Sequence, residues 1–158
     1  MKVGFLSDKN GFRAPLHPDS LQKYDKTQLF VEKNIFNNLD LTANDYKKLK
    51  VLNKTSLKQM DVVCFVDSVD IGVIKTLKSD AGVVGLFDPK IKKEIKKLRP
   101  DVSLYDFFQL PRISRAQNLD ALSSQANLLG YSSVLRASLE TSNVIPMMTT
   151  AAGNISPA

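Results

Sequence analysis

The sequence predicts an α/β fold with a mostly parallel sheet in three layers, flavodoxin-like in general form, with a long C-terminal interdomain helix. Short β-branched runs, bounded by Asp, Gly, Pro or lysine-rich turns, alternate with segments of helical apolar spacing. Such alternation indicates parallel strands joined by crossover helices that cover both faces of the sheet. With 158 residues, 43% of them hydrophobic, the chain is long and apolar enough for one domain with a sizeable core.

Five strands are predicted, at residues 3–7, 29–32, 61–66, 82–87 and 102–105. Four helices are predicted between them, at residues 17–24, 45–50, 70–77 and 89–98. The last helix is the best defined, because Asp88 can cap its first turn and Pro89 occupies its first position. Its other positions are mostly lysines around Ile91, Ile95 and Leu98, which predicts an amphipathic helix with a basic outer face.

A long helix over residues 113–140 does not follow this alternation. Apolar residues lie on two of its sides, one including Leu122 and Leu129 and the other Leu128 and Leu135, so we expect two bodies to bury it. Gly130 lies near its middle and allows a close approach there. We therefore predict an N-terminal α/β domain over 1–112, the interdomain helix over 113–140, and a connector over 141–158 that leads to a missing second domain.

The long helix also carries a polar stripe. At about 100° per residue, six polar side chains fall within roughly 120° of one another: Gln117, Asp120, Ser123, Ser124, Asn127 and Tyr131. A solvated helix face would instead be rich in Lys and Glu. The stripe therefore predicts a surface that meets a polar ligand or partner. The alternative is that these residues only cap and pack the helix.

Composition excludes several classes of function. The net charge of +6 comes largely from the lysine-rich helix, and no aromatic or Gly-rich motif accompanies it, so we expect no nucleic-acid partner. The single Cys64 lies in an apolar run, which predicts an inert buried thiol in a reducing compartment. His17 is the only histidine, which excludes a histidine-cluster metal site. No apolar run approaches the length of a membrane span, and no independent active-site motif is present, so we expect neither a transmembrane helix nor a signal peptide.

Two C-terminal segments carry a family resemblance. They are PRISRAQNLDALSSQANLLGY at 111–131 and PMMTTAAGNISPA at 146–158. Both closely resemble the NAD(H)-binding component, or alpha subunit, of the proton-translocating NAD(P) transhydrogenases, in the alanine dehydrogenase/transhydrogenase family. Residues 1–110 resemble the same domain of this family more weakly, in the order of strands and helices. The resemblance implies that the missing second domain is a Rossmann domain with a glycine fingerprint.

The resemblance also implies roles for four residues. Arg112, Asp120 and Ser123 would contact the dihydronicotinamide end of NAD(H), and Gln117 would reach toward NADP(H) held by a partner component. A carboxylate and a hydroxyl can bind a carboxamide NH₂, and an arginine can offer paired donors to a carbonyl or pyrophosphate oxygen. Hydride transfer between two nicotinamides needs oriented rings rather than a protein acid or base. No metal is implied.

The implied function is hydride transfer between NAD(H) and NADP(H), coupled to proton movement by partner subunits, with this chain inactive on its own. The implied partners are the missing Rossmann half, an NADP(H)-binding beta subunit, a membrane proton-channel domain and a second copy in a homodimer. The implied location is cytoplasmic, peripheral to the inner membrane through the complex.

Two alternatives remain, a fragment of an alanine dehydrogenase-like enzyme and a non-catalytic assembly module. Alanine dehydrogenase uses an arginine, a lysine and a histidine of this domain to process pyruvate. Arg13 falls where the arginine would lie, but Asp67 stands near the place of the lysine, and residues 85–89 hold no histidine. Oxo-acid chemistry is therefore not expected, and for Arg13 we expect a structural salt bridge.

Overall fold

The computed structural model describes residues 1–8, 13–24, 28–33, 35, 49–141 and 146–156. The chain divides into two compact units, Met1–Leu110 and Pro111–Ala158. No helix within the described ranges is both long enough and apolar enough to cross a membrane.

The first unit is built on a six-stranded parallel sheet with the spatial order β3-β2-β1-β4-β5-β6. Its strands are β1 (Lys2–Phe5), β2 (Gln28–Val31), β3 (Lys50–Val51), β4 (Val62–Cys64), β5 (Gly82–Gly85) and β6 (Ser103–Asp106). All five predicted strands are present. The sixth, β3, has only two residues and both are exposed, so no apolar pattern marks it. Without this edge strand, the remaining order is the one found in flavodoxin.

Two apolar clusters lie on opposite faces of the sheet. Val63 of β4 belongs to the larger cluster, whereas its neighbours Val62 and Cys64 pack against the smaller one. Because successive strand side chains point to opposite faces, this division places one cluster on each side of the sheet. The predicted three-layer architecture is therefore confirmed. The largest completely buried side chains are Met60, Val63, Ile74, Val83 and Ile95.

The helices of this unit agree with the predictions in part. The helix predicted at 17–24 is a 3₁₀ helix, Pro18–Tyr24. Most of the one predicted at 45–50 lies outside the described residues, and Lys50 at its end belongs to β3. The short α1 (Lys54–Leu57) was not predicted, because a single turn shows no apolar period. The predictions for α2 (Ile71–Thr76) and α3 (Pro89–Leu98) are confirmed.

Local capping explains where α2 and α3 begin and end. The Asp88 side chain accepts a hydrogen bond from Lys90 N at 2.8 Å, and Pro89 follows at the first helical position, as predicted. Arg99 Nη1 donates to the carbonyls of Ile74 and Leu77 at 3.0 and 2.9 Å. The Ile74 carbonyl also accepts a bond from Leu77 N at 3.3 Å, whereas the Leu77 carbonyl lies just beyond the last turn of α2. One guanidinium thus links the ends of two helices.

The second unit corrects the predicted course of the long helix. Residues Ser114–Leu119 form a 3₁₀ helix, and the α-helix α4 (Ala121–Glu140) begins only after Asp120. The backbone of Asp120, with φ −77° and ψ 78°, interrupts the helical path that was expected to be continuous. The unit ends in an antiparallel hairpin of β7 (Met148–Thr150) and β8 (Gly153–Ile155).

The apolar sides of α4 are exposed in this chain. Leu128, Leu129, Val134, Leu135 and Leu139 retain between 48% and 84% of their accessible surface, and α4 has no buried residue. Exposed apolar area of this extent on one helix is typical of a surface that another domain or subunit covers.

Candidate functional site

Two of the four residues implicated by the sequence, Asp120 and Ser123, are in contact where α4 begins. Asp120 is the N-cap of this helix, and both of its carboxylate oxygens accept hydrogen bonds from Ser123. The Ser123 backbone N–H donates to Oδ1 at 3.0 Å, and the Ser123 hydroxyl donates to Oδ2 at 2.6 Å. An aspartate at the N-cap satisfies a backbone donor that the helix cannot pair internally. The local sequence Asp-x-x-Ser therefore fixes the orientation of both side chains.

The charge of Asp120 is stabilised at this position. Hydrogen bonds from the Ser123 hydroxyl and backbone N–H lower the pKa of Asp120, and the nearby positive charge of Arg112 acts in the same direction. The carboxylate is thus held in its ionised form. The site presents a negative charge fixed by the cap beside an exposed positive one.

Arg112 and Gln117 are exposed, and neither side chain makes a hydrogen bond or ion pair within the described part of the chain. Gln117 lies in the 3₁₀ helix, where its backbone carbonyl accepts a bond from Asp120 N at 3.2 Å. Buried Ala116 anchors this 3₁₀ helix. Among the described residues, the guanidinium of Arg112 and the amide of Gln117 therefore have no partner that would compete with a ligand.

The polar stripe differs from the prediction at its start. Gln117 precedes the break at Asp120, so the spacing of an α-helix does not place it in line with Ser123 and Asn127. The exposed residues Ser123, Ser124, Asn127 and Tyr131 do share the continuous helix α4. The capping interpretation holds for Asp120 and Ser123. The hydroxyl of Ser124 donates to the Asp120 carbonyl at 3.3 Å.

The cap defines what Asp120 and Ser123 can bind. A carboxylate offers about four lone-pair sites, and Ser123 occupies two of them. Since the Ser123 hydroxyl has already donated its proton to Asp120, its oxygen can only accept a further hydrogen bond. The pair is therefore a set of acceptors, suited to an NH₂ group. Arg112 supplies donors only and is suited to a carbonyl or phosphate oxygen.

A second polar cluster lies after the carboxyl ends of β1 and β4, where the strand order reverses. Asp8 is 3% exposed, accepts a hydrogen bond from the Ser68 hydroxyl and lies 3.9 Å from Arg13 Nε. Arg13 Nη2 also donates to Asp67. Burial, with the hydrogen bond and charge of Asp8, raises the pKa of Asp67, although Arg13 opposes this shift. The structural salt bridge expected for Arg13 is confirmed.

This cluster bears on the alternative of pyruvate chemistry. The switch point of an open α/β sheet is where such folds bind ligands. Here Arg13 faces two carboxylates, so its charge is balanced within the chain. Asp8 and Ser68 were missed in the sequence analysis, and their positions just after predicted strands were the available signal. Cys64 is half-buried rather than fully buried as predicted. Its partial burial still raises the pKa of the thiol to about 11, which agrees with the prediction of an inert thiol.

Comparison with known proteins identifies relatives of this chain. No protein-family model matches it. Over 81 residues, 50% of this chain, it is 48% identical to the first segment of the divided NAD(P) transhydrogenase subunit alpha of Rickettsia prowazekii. Over 113 residues, 69% of this chain, it is 34% identical to the NAD(P) transhydrogenase subunit alpha of Haemophilus influenzae. The chain is a homologue of the NAD(P) transhydrogenase alpha subunits. The resemblance stated from the sequence is confirmed.

Solved structures agree with this relationship. The crystal structure of transhydrogenase from Sinorhizobium meliloti matches 100% of this chain and 50% of its own, with a TM-score of 0.86 and 29% identity. An L-alanine dehydrogenase matches 68% of this chain with a TM-score of 0.56 and 15% identity, which shows a shared fold. The chain spans about a fifth of the alpha subunits from Rickettsia and Haemophilus, 21% and 22% of their lengths.

Proposed function

We propose that this chain is the N-terminal part of the NAD(H)-binding component of a proton-translocating NAD(P) transhydrogenase. In this role it orients the nicotinamide of NAD(H) for hydride exchange with NADP(H) on a partner subunit. The observation that carries the proposal is the acceptor pair of Asp120 and Ser123 near the exposed Arg112, in a homologue of transhydrogenase alpha subunits.

The hydrogen-bond acceptors and donors of this site match those of a nicotinamide carboxamide. Asp120 and Ser123 would accept hydrogen bonds from its NH₂ group, and Arg112 would donate to its oxygen or to the pyrophosphate. When bound, the nicotinamide itself supplies the hydride chemistry. The residues of this chain bind and orient, and none of them has to exchange a proton. The exposed amide of Gln117 would face the partner that holds NADP(H).

The exposed apolar sides of α4 support a further domain in the working protein. We propose that a Rossmann domain covers this helix and supplies the phosphate and ribose contacts of NAD(H) through its glycine turn. Residues 1–112 then form the α/β domain, 113–140 the interdomain segment and 141–158 the connector. The beta subunit, a membrane proton channel and a second copy in a homodimer complete the proposed complex, at the cytoplasmic side of the inner membrane.

The switch-point cluster does not favour the amino-acid dehydrogenase alternative. A site that binds an oxo-acid carboxylate needs an uncompensated cation, whereas Arg13 is held by Asp8 and Asp67. Asp67 would also add a negative charge near the substrate. The assembly-module alternative predicts instead that changes at Asp120 and Ser123 leave nucleotide binding untouched.

A pair of serine variants tests the proposal in the assembled complex. Ser123→Ala removes the hydroxyl bound to Asp120 Oδ2, whereas Ser124→Ala removes a hydroxyl that contacts only the Asp120 carbonyl, at 3.3 Å. We expect Ser123→Ala to weaken NADH binding about fivefold, because the variant lacks the oxygen that would accept a hydrogen bond from the carboxamide NH₂, and such a neutral hydrogen bond contributes about 0.5–1.5 kcal/mol. Ser124→Ala should bind NADH as the unmodified complex does. If Ser123→Ala bound NADH as tightly as the control Ser124→Ala, the proposal would be contradicted.

A further inference from the structure

The outer edge of β6 has no neighbouring strand within the described residues. β6 is the last strand in the sheet order, and β5 is the one described strand with which it pairs. Ser103 N donates to Ala81 O at 3.0 Å, so the backbone of Ser103 faces the sheet. In a parallel ladder the next residue directs its N–H and C=O to the other side. The backbone groups of Leu104 therefore point outward, and no described residue pairs with them.

A cavity of about 540 Å³ runs along this edge. Its lining includes the strand residues Ser103, Leu104 and Tyr105 together with Lys92, Lys96 and Gln109. The volume is in the range of protein sites that hold a ligand or a few residues of a peptide. Tyr105 is 59% exposed, so its ring offers an apolar wall beside the polar edge. The cavity thus combines unpaired backbone groups with side chains on both sides.

The charge around the cavity is positive. α3 carries five lysines and one glutamate in the sequence PKIKKEIKKL. Of the two lysines that line the cavity, Lys92 is neutralised by Asp106, at 2.6 Å between Nζ and Oδ2. Lys96 is exposed and has no ionic partner within the described ranges. One unpaired cation therefore stands beside the free strand edge, on a chain of net charge +6.

We infer that the edge of β6 and this cavity bind an extended acidic peptide segment of a partner protein by strand addition. The N–H and C=O of Leu104 pair with the backbone of the segment, as in other complexes that extend a sheet. An acidic side chain of the segment meets Lys96, and an apolar one packs on Tyr105. A second copy of this chain fits less well, because it would bring another lysine-rich helix to the same edge.

A peptide titration on the full chain tests this inference. The probe is a short fluorescent peptide, blocked at both ends, in which valine and glutamate alternate. Three comparison peptides replace glutamate by lysine, methylate the backbone nitrogens, or consist of glutamate only. Two protein variants make the same charge reversal on one helix: Lys96→Glu at the cavity and Lys93→Glu as the control, since Lys93 is exposed but does not line the cavity.

We expect the alternating peptide to bind at concentrations below about 1 mM, and to slow amide hydrogen exchange at Leu104. Lys96→Glu should weaken binding about tenfold, whereas Lys93→Glu should change it less than about twofold. N-methylation should abolish binding while the charges are unchanged.

Four outcomes would overturn the inference. The absence of binding would mean that Lys96 only guards the edge against aggregation, a common role of edge lysines. Equal binding of the N-methylated peptide, or of the glutamate-only peptide, would indicate a small-anion site without strand pairing. Concentration-dependent dimers that protect the Leu104 amide without peptide would assign the edge to a second copy.

Discussion

The Ser123 hydroxyl donates to Asp120 Oδ2 at 2.6 Å while the backbone N–H of the same residue donates to Oδ1 at 3.0 Å. One residue thus engages both oxygens of the carboxylate. The cap and the proposed nicotinamide site are therefore the same structure. A substitution at Asp120 has to be designed so that the loss of the cap is separated from the loss of a ligand contact.

Asp120→Asn makes this separation. Asn caps helices about as well as Asp, so the start of α4 should be retained. The substitution replaces one acceptor oxygen by a donor and removes the negative charge. We expect NADH affinity in the assembled complex to fall about tenfold, or about 1.4 kcal/mol, with the helix content unchanged by circular dichroism. Asn118→Ala, at an exposed neighbouring position, should leave the affinity unchanged. An unaltered affinity in Asp120→Asn would exclude a ligand contact.

Gln117 is expected to behave differently, because it lies before the break and its amide has no partner among the residues that the structure describes. Gln117→Asn shortens the side chain by one methylene and keeps its chemistry. We expect hydride transfer to slow by roughly tenfold or more, while NADH affinity changes little, because ring alignment rather than binding is disturbed. Stopped-flow transhydrogenation with an NADH analogue measures both quantities. Equal losses of affinity in Gln117→Asn and Asp120→Asn would show that the two roles are wrongly assigned.

This chain alone should bind NADH weakly, with a dissociation constant above about 1 mM. The proposed carboxamide contacts of Arg112, Asp120 and Ser123 would cover one end of the nucleotide, and phosphate contacts of the glycine-turn type are proposed to come from another domain. Titration calorimetry on this chain measures the affinity directly. Micromolar binding would mean that the chain itself contains a phosphate site.

The features that the sequence predicts correctly are determined by residues that lie close together in the chain. α3 was predicted with its true bounds because Asp88, Pro89 and the lysine-rich pattern act within one helix. The start of α4 was missed because helical spacing continues through Asp120, and a single cap outweighed it. The ion pair of Arg13 with Asp67 joins residues 54 positions apart, which no local pattern reveals. The four residues proposed to bind or align nucleotide came from family resemblance, and the structure adds how two of them hold each other.

Acid should weaken the first unit through Asp106. This carboxylate accepts bonds from Lys92 Nζ at 2.6 Å and from Phe108 N at 3.1 Å. Burial favours a higher pKa of Asp106, but these hydrogen bonds outweigh it and the pKa is lowered. The resulting stability is therefore present above the unfolded-state pKa of about 3.9 and is lost as pH falls through the native value.

Urea unfolding as a function of pH tests this expectation. At neutral pH we expect Asp106→Asn to reduce the free energy of unfolding by about 1.5–3 kcal/mol, because Lys92 loses its charged partner. Below pH of about 4 the difference between the unmodified chain and the variant should shrink. If the difference in the free energy of unfolding stayed constant into strong acid, the destabilisation by Asp106→Asn would come from altered packing and not from the lost charge.

Two glycines should respond in opposite directions to the same substitution. At Gly85 an added Cβ would lie 2.7 Å from Phe65 Cζ, and the Phe65 ring is fixed edge-on against Phe87 with centroids 5.1 Å apart. Gly85→Ala should therefore destabilise the chain by about 1–3 kcal/mol, the usual effect of overpacking. At Gly130 nothing lies within 4 Å of the added atom.

Gly130→Ala should raise the helix stability of α4 in this chain by up to about 1 kcal/mol, because alanine is the better helix former. Thermal unfolding followed by circular dichroism measures the stability of both Gly85→Ala and Gly130→Ala against the unmodified chain. The assembled complex gives the decisive contrast: if the proposed Rossmann domain approaches α4 closely at Gly130, the same methyl group should weaken assembly. Assembly as tight in Gly130→Ala as in the unmodified chain would mean that the covering body contacts α4 elsewhere.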